Sequence, residues 1–273
     1  MNQRPDGQRL LPRLLEVPIE LVQELKMRSP AHIPLLTRGS QIAAVSPDDD
    51  EGRRYRIEAI QPRAEIQHMD QTPHHMIERL ARAGILPVIR AATAERARDL
   101  VGVMADAGLT SIELTTTIPD WADLLCTLTA ERPELSFGMG TITTEAMGGR
   151  ALEQGAQFLV TPYPVPAARA VAAEADRLMI GGGLTPAELA ESVVSGVGKL
   201  FPAHVGGISY LKSLLAVLPG ARIIPTGGIA IDDAARWLEA GAFAVGVGSD
   251  LYSAEDISAK VAKLQRLVQS VAT

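Results

Sequence analysis

The sequence predicts an α/β fold, a (β/α)8 TIM barrel with an additional N-terminal helix, preceded by a small α/β appendage. Three observations carry that expectation. From about Pro73 onward, short β-branched runs alternate with amphipathic segments in eight successive units. Glycines punctuate the ends of the amphipathic segments, at Gly84, Gly108, Gly155, Gly196, Gly220 and Gly241, where a chain leaving a helix turns left-handed. The chain has 273 residues, of which 47% are hydrophobic, enough to bury one barrel-sized core beside a small appendage. An open doubly wound sheet is the structural alternative, and eight regular units without a long crossover favour closure.

In chain order, Val17 to Met27 shows a helical apolar period. Residues 33–45 and 53–60 read as two strands separated by the acidic turn Ser46-Pro47-Asp48-Asp49-Asp50-Glu51-Gly52. That turn lacks the spaced ligands and distal glutamate of a calcium loop and reads as solvated. Residues 61–71 are polar and read as a linker, so the expected division is an appendage over 1–71 and a barrel over 72–273. Residues 73–83 predict the additional helix, covering the N-terminal end of the barrel. Strands are expected at 85–91, 111–116, 135–141, 158–163, 178–183, 199–203, 223–229 and 244–249. Helices follow at 94–107, 120–131, 143–154, 166–175, 186–195, 208–218, 232–240 and 254–271.

Composition excludes several classes. No apolar stretch reaches the roughly 18 residues needed to span a membrane, and the first seven residues lack the apolar core of a secretory signal. The lone cysteine, Cys126, excludes an internal disulfide framework and fits a reducing cytoplasm. Lying in an apolar helix, it is expected to be a small buried hydrophobe. A formal net charge of -6 argues against a nucleic-acid partner, although a local cradle of amides and cations still accommodates an anionic substrate. The histidines His32, His68, His74, His75 and His204 show no metal-site spacing, and adjacent His74 and His75 would project about 100° apart on a helix. No metal is expected.

In a barrel of this kind the chemistry sits at the C-terminal ends of the strands. Lys199 stands at the head of the apolar run Leu200-Phe201-Pro202-Ala203. An ammonium among apolar neighbours loses hydration, which favours the neutral amine that attacks a carbonyl to form a Schiff base. Glu113 lies in Ser111-Ile112-Glu113-Leu114-Thr115-Thr116-Thr117, where alternation puts Glu113, Thr115 and Thr117 on the face assigned to the interior. A carboxylate there is costly unless paired, and Lys199 offers the partner. Arg90 ends the first barrel strand and either binds a carboxylate or phosphate through its planar fork, or pairs with Glu113 and orients it. Thr141 ends Gly138-Met139-Gly140-Thr141 and either contacts a substrate carboxylate or caps the next helix, a task open also to Thr143 and Thr144. Pro162 closes the fourth strand and walls the same cavity. Phe201, two positions beyond Lys199, either covers the imine or simply packs. Thr226-Gly227-Gly228 and Gly248-Ser249 each end a strand in a glycine turn before a helix, which is how α/β proteins expose backbone amides to phosphate.

Together these residues resemble the class I aldolases that cleave 2-keto-3-deoxy-6-phosphogluconate, with their relatives acting on phosphogalactonate and 4-hydroxy-2-oxoglutarate. The resemblance runs from Met76 onward. Its strongest pieces are Glu113-Leu114-Thr115-Thr116-Thr117-Ile118-Pro119-Asp120, Lys199-Leu200-Phe201-Pro202, Pro225-Thr226-Gly227-Gly228 and Val245-Gly246-Val247-Gly248-Ser249-Asp250-Leu251. It implies that Lys199 is the Schiff-base lysine and Glu113 the acid and base. It places Thr141 and Arg90 near the pyruvyl carboxylate, Pro162 in the pocket wall, and Gly227, Gly228, Gly248 and Ser249 in the phosphate turns. Thr117, Phe201 and Thr226 join the substrate-binding set. The resemblance further implies a keto-acid substrate, a homotrimer, and no metal or cofactor, because a protonated imine serves as the electron sink.

Three features depart from the family pattern. Ile180-Gly181-Gly182-Gly183 reads as a looser turn at the end of the fifth strand, His204 follows Phe201-Pro202-Ala203, and the appendage has no single-domain counterpart. The expected reaction releases pyruvate from a phosphorylated 2-keto-3-deoxy sugar acid. An aldolase for unphosphorylated 4-hydroxy-2-oxo acids is the alternative enzyme, and a non-catalytic phosphate-ligand or assembly scaffold is the alternative of another class.

Overall fold

The computed structural model describes residues 35–38, 41–47, 55–60, 72–253 and 256–271. The chain divides into two compact units, Met1–His68 and Met69–Thr273. The first holds an antiparallel sheet of β1 (Leu35–Arg38), β2 (Gln41–Pro47) and β3 (Tyr55–Ile60) in sequential order. Arg38 pairs with Gln41, so the single strand expected over 33–45 is instead a hairpin. A glycine-led pair, Gly39-Ser40, separates two apolar runs, and such pairs link hairpin strands. Ser46 and Pro47, expected in the acidic turn, extend β2 opposite Arg56 and Tyr55. The helix expected at 17–27, the remainder of the acidic turn and the linker lie outside the described residues.

The second unit begins with α1 (Pro73–Ala83), over the residues that its periodicity predicts. The Thr72 hydroxyl accepts from His75 N–H, Pro73 opens the first turn, and Gly84 ends the helix at φ 63°. Eight parallel strands follow: β4 (Ile85–Ile89), β5 (Ser111–Thr115), β6 (Ser136–Gly140), β7 (Phe158–Val160), β8 (Leu178–Gly183), β9 (Val197–Leu200), β10 (Ile223–Pro225) and β11 (Val245–Val247). Their order is β11-β4-β5-β6-β7-β8-β9-β10, and a parallel bridge from Thr226 to Gly246 joins the two ends. The sheet therefore closes, as the eight regular units predict. The helices between strands are α2 (Ala94–Asp106), α3 (Trp121–Glu131), α4 (Glu145–Glu153), α5 (Pro166–Glu174), α6 (Pro186–Ser192), α7 (Gly207–Val217) and α8 (Ala234–Glu239). The short α9 (Ser249–Ser253) and α10 (Ile257–Val271) follow β11. All six punctuating glycines have positive φ, from 63° at Gly84 to 105° at Gly196.

Several strands end earlier than expected, and one is displaced. β9 starts at Val197 rather than Lys199, because Val197 and Gly198 pair with Ile180 and Gly181, and the chain has left the ladder at Phe201. Gly181, Gly182 and Gly183 are not a loose turn but the buried end of β8, opposite Gly198, Lys199 and Leu200. Glycine is required there because a Cβ at Gly182 would lie 2.3 Å from the Thr161 carbonyl oxygen.

Burial splits the core into two shells. Ile89, Ile112, Leu114, Phe137, Met139, Leu159 and Met179 pack outward against the helices. Leu86, Phe158, Val160, Leu178, Ile180, Val197 and Ile224 form the inner cluster, which Met76 and Leu80 of α1 complete from the N-terminal end. Both side chains are fully buried, and each contributes about 1.5–3 kcal/mol of transfer free energy. Cys126 contradicts its expected burial and is exposed. Ala122, Leu124, Leu125 and Leu128 take the inward face of α3, which leaves Cys126 on the other.

Candidate active site

The inner-face alternation that buries Leu86, Val197 and Ile224 at one end of the barrel brings Glu113 and Lys199 inward toward the other. Lys199 is the third residue of β9 and pairs with Gly182 on one side and Ile224 on the other. Its Nζ donates to Glu113 Oε1 at 3.0 Å and to Oε2 at 3.2 Å. Residual exposure is 6% for Lys199 and 1% for Glu113, so the two charges must neutralise each other. Gly140, on neighbouring β6, makes room for the carboxylate. A Cβ there would stand 2.0 Å from Glu113 Oε1, so any side chain would displace it. Phe201 has left the strand yet still meets the lysine, its ring centroid 5.7 Å from Nζ, within cation–π range.

Arg90 leaves the end of β4, and its partners are threonines rather than Glu113. Its guanidinium donates to Thr117 Oγ1 at 3.3 Å and Thr141 Oγ1 at 3.0 Å, and among the described residues no ion pair joins it to Glu113. The hydroxyl directions follow from donor counting. Thr115 Oγ1 donates to the Ile89 carbonyl at 3.0 Å, so the Thr117 hydroxyl donates to Thr115 across 2.8 Å and accepts from Arg90. Arg90, Thr117, Thr115 and Ile89 form one directed chain. Thr115 was legible from alternation with Glu113 and Thr117, but nothing local marked its role.

Thr141 sits at φ 61°, a left-handed conformation that a β-branched residue adopts at a cost of about 1–3 kcal/mol. Thr116 Oγ1 holds it by donating to the Thr141 carbonyl at 2.9 Å. Helix capping falls to Thr144, whose hydroxyl accepts from Met147 N–H at 3.2 Å, so capping does not explain Thr141. Thr161 is fully buried and accepts from Gly182 N–H at 3.0 Å, which ties the Thr161-Pro162 turn to the strand beside Lys199.

A cavity of about 430 Å³ opens over Lys199. Val88, Arg90, Phe201, Thr226, Gly227, Gly228, Gly248, Ser249 and Tyr252 line it. Thr117 and Thr141 reach it through Arg90, while Pro162 does not line it. Gly227 and Gly228 turn at φ 95° and 69°, and their carbonyl side is clamped to the turn after β9. Ala203 N–H donates to Thr226 O at 2.8 Å, and His204 N–H to Gly227 O at 3.2 Å. Exposed His204 also places Nδ1 3.4 Å from the same Gly227 oxygen, behind the turn and outside the cavity lining. Asp250 Oδ2 accepts from Ile231 N–H at 2.7 Å and joins the loops after β10 and β11.

Tyr252 was not foreseen. Its hydroxyl donates to the Val88 carbonyl and accepts from Arg90 N–H at 3.1 Å. Burial pushes this phenol up to about 12, against a smaller opposing effect of the bond from Arg90 N–H. Among the described residues no group of three or more His, Cys, Asp or Glu could hold a metal, and no helix is long and apolar enough to cross a membrane.

A profile of the KDPG and KHG aldolases matches residues 76–267. A probable 2-dehydro-3-deoxy-6-phosphogalactonate aldolase of Rhizobium meliloti is 31% identical over 188 residues, covering 67% of this chain and 87% of that one. A 2-dehydro-3-deoxy-phosphogluconate aldolase of Pseudomonas aeruginosa is 34% identical over 163 residues, covering 57% and 72%. The KDPG aldolase of Legionella pneumophila, solved with pyruvate captured at low pH as a covalent carbinolamine intermediate, superposes with a TM-score of 0.61 at 26% identity. That match covers 73% of this chain and 98% of the other. By its matched residues and its barrel, this chain belongs to the KDPG and KHG aldolase family, whose members are carbon–carbon lyases.

Proposed function

We propose that this chain cleaves a phosphorylated 2-keto-3-deoxy sugar acid to pyruvate and glyceraldehyde 3-phosphate through a Schiff base on Lys199. The observation that carries the reading is the buried Lys199–Glu113 pair at the floor of a cavity that also holds Arg90 and two glycine turns. An amine, its proton acceptor, a carboxylate clamp and two sets of backbone amides are the parts this reaction needs.

With Glu113 within 3.0 Å, the lysine passes a proton to the carboxylate and its amine adds to the C2 carbonyl of the substrate. The product is a carbinolamine, the intermediate captured in the Legionella pneumophila relative. Glu113 returns the proton to the departing hydroxyl, water leaves, and a protonated imine remains. Glu113, again a carboxylate, takes the C4 hydroxyl proton, the aldehyde forms as the C3–C4 bond breaks, and that bond's electron pair moves into the imine to give an enamine. Glu113 protonates C3, and hydrolysis of the imine releases pyruvate and restores the amine. Phe201 lies over the nitrogen and shields it from water.

Arg90, oriented by Thr117 and Thr141, has guanidinium N–H groups beyond the two given to the threonines, and these receive the substrate carboxylate. Pro162 packs behind Gly182, beside Lys199. Thr226, Gly227, Gly228, Gly248 and Ser249 hold the phosphate at the far end, and that remote binding positions the scissile bond. Epimers at C4 yield the same two products, so gluconate and galactonate forms share this chemistry. We further propose a homotrimer of cytoplasmic barrels with the boundary of the appendage at residue 71, supported by the family resemblance, the lone cysteine and the polar run at 61–71.

Borohydride trapping with pyruvate tests the mechanism. The expected result is a reduced adduct mapped to Lys199, and an adduct at another lysine sinks the assignment. Pyruvate release from phosphorylated and plain 4-hydroxy-2-oxo acids tests the substrate. A rate that does not fall when the phosphate is removed would assign the chain to the unphosphorylated class.

A further inference from the structure

The hydroxyl of Tyr252 occupies a place that a backbone residue holds elsewhere in the barrel. In a parallel ladder, a residue opposite position i donates its N–H to carbonyl i−1 and accepts from N–H i+1. β11 follows β4 in this way, with Val245 opposite Ile85 and Val245 N–H donating to the Gly84 carbonyl. Pairing ends at Val247 opposite Pro87. Continued in the same phase, the ladder would bring Ser249 opposite Ile89, donating to the Val88 carbonyl and accepting from Arg90 N–H. Ser249 instead opens α9 and lines the cavity. Those two groups, on and just past the end of β4, are met by Tyr252, three residues after Ser249, through one phenol oxygen that donates to Val88 and accepts from Arg90.

We propose that Tyr252 is a positioning residue that substitutes for Ser249 in the ladder, so that Arg90 at one end of the cavity and the Gly248-Ser249 turn at the other are held in a single register. The proposal rests on reading Arg90 and that turn as the carboxylate and phosphate ends of the substrate site. A ladder continued through Ser249 would keep the chain on the barrel wall and away from the cavity. Without the hydroxyl, Val88 C=O and Arg90 N–H both lose their partner at the point where the Arg90 side chain departs. A phenol titrates at about 10 even when unperturbed, so the bond to Val88 keeps its proton across the neutral range.

Tyr252→Phe removes both bonds and keeps the ring. The experiment measures the retro-aldol reaction of the phosphorylated substrate beside exchange of the pyruvate methyl protons into heavy water, which involves no phosphate. The expected result is a KM raised about tenfold for both substrates, with kcat for pyruvate exchange within about twofold and a cooperative melt retained. Added to Arg90→Ala, Tyr252→Phe should raise the KM for pyruvate no further, since it acts there through Arg90. Unchanged KM values in a folded Tyr252→Phe protein, with Arg90→Ala still raising the KM for pyruvate, overturn the positioning role alone. A fully additive double variant overturns the route through Arg90. If Arg90→Ala itself leaves the KM for pyruvate unchanged, the reading of the carboxylate end is wrong, and the proposal falls with it.

Discussion

The two ends of the barrel are built from the same eight strands and the same alternation, yet they hold opposite chemistry. At the N-terminal end the inward positions include Leu86, Phe158, Leu178, Val197 and Ile224 beside one small buried hydroxyl, Ser111, and Met76 and Leu80 close them. Two residues along the same inward faces, the C-terminal end carries Val88, Glu113 and Lys199, with Thr141 in a strained conformation beyond β6. Val197 and Lys199 make the contrast within one strand. The N-terminal end gains transfer free energy from each apolar side chain it buries, whereas the polar end keeps two buried charges that only geometry makes tolerable. Stability and chemistry are thus separated along the strand direction, so a substitution should damage one or the other according to its depth.

The largest expected effect is at the polar end. Lys199→Ala should reduce pyruvate release to background and abolish borohydride trapping. It should also lower stability in denaturant by about 3–5 kcal/mol, because Glu113 is left buried without its partner. Gly140→Ala comes next. Its methyl group would collide with the Glu113 carboxylate, and a displacement of that size should lower kcat on the order of a hundredfold while the fold survives. A protein with full activity would show that Glu113 has slack the contact distances deny.

Leu80→Ala tests the opposite end. It should cost about 2–5 kcal/mol in denaturant unfolding and leave kcat per folded molecule within about twofold. A large loss of kcat would break the separation of the two ends. The smallest effect is alkaline. A phenol raised from its ordinary value near 10 to about 12 favours the folded state below pH 10, and that contribution fades as pH rises through about 12. Denaturation curves over this interval should converge between wild type and Tyr252→Phe by about 1–2 kcal/mol, after allowance for partial exposure. Absorbance titration should show the Tyr252 phenol ionising late, a component missing from the variant.

Much of this was legible because it is local. Eight apolar runs, six glycine helix ends and the shared parity of Glu113 with Thr115 and Thr117 arise from backbone periods of a few residues, and these are written in sequence order. Local reading failed where a single-residue shift or a helix phase decided the outcome. The run at 33–45 became a hairpin, β9 began at Val197, and Cys126 emerged on the exposed face of α3. The three glycines of β8 look like a turn in isolation, and only tertiary approach explains them: Ser192 and Glu188 of α6 crowd Gly181 and Gly183, and Thr161 and Pro162 crowd Gly182.

The sequence by itself determined the alternating architecture, the barrel's helical plug and the pairing of Lys199 with Glu113, because side-chain pattern and residue chemistry suffice for these. Tertiary structure alone decided that Arg90 binds two threonines rather than Glu113, that Gly140 yields its space to a carboxylate, and that Tyr252 completes the ladder of a strand 162 residues away. Each of those depends on distances across a closed sheet. Closure brings remote segments within hydrogen-bond range, and no local period records which of them will meet.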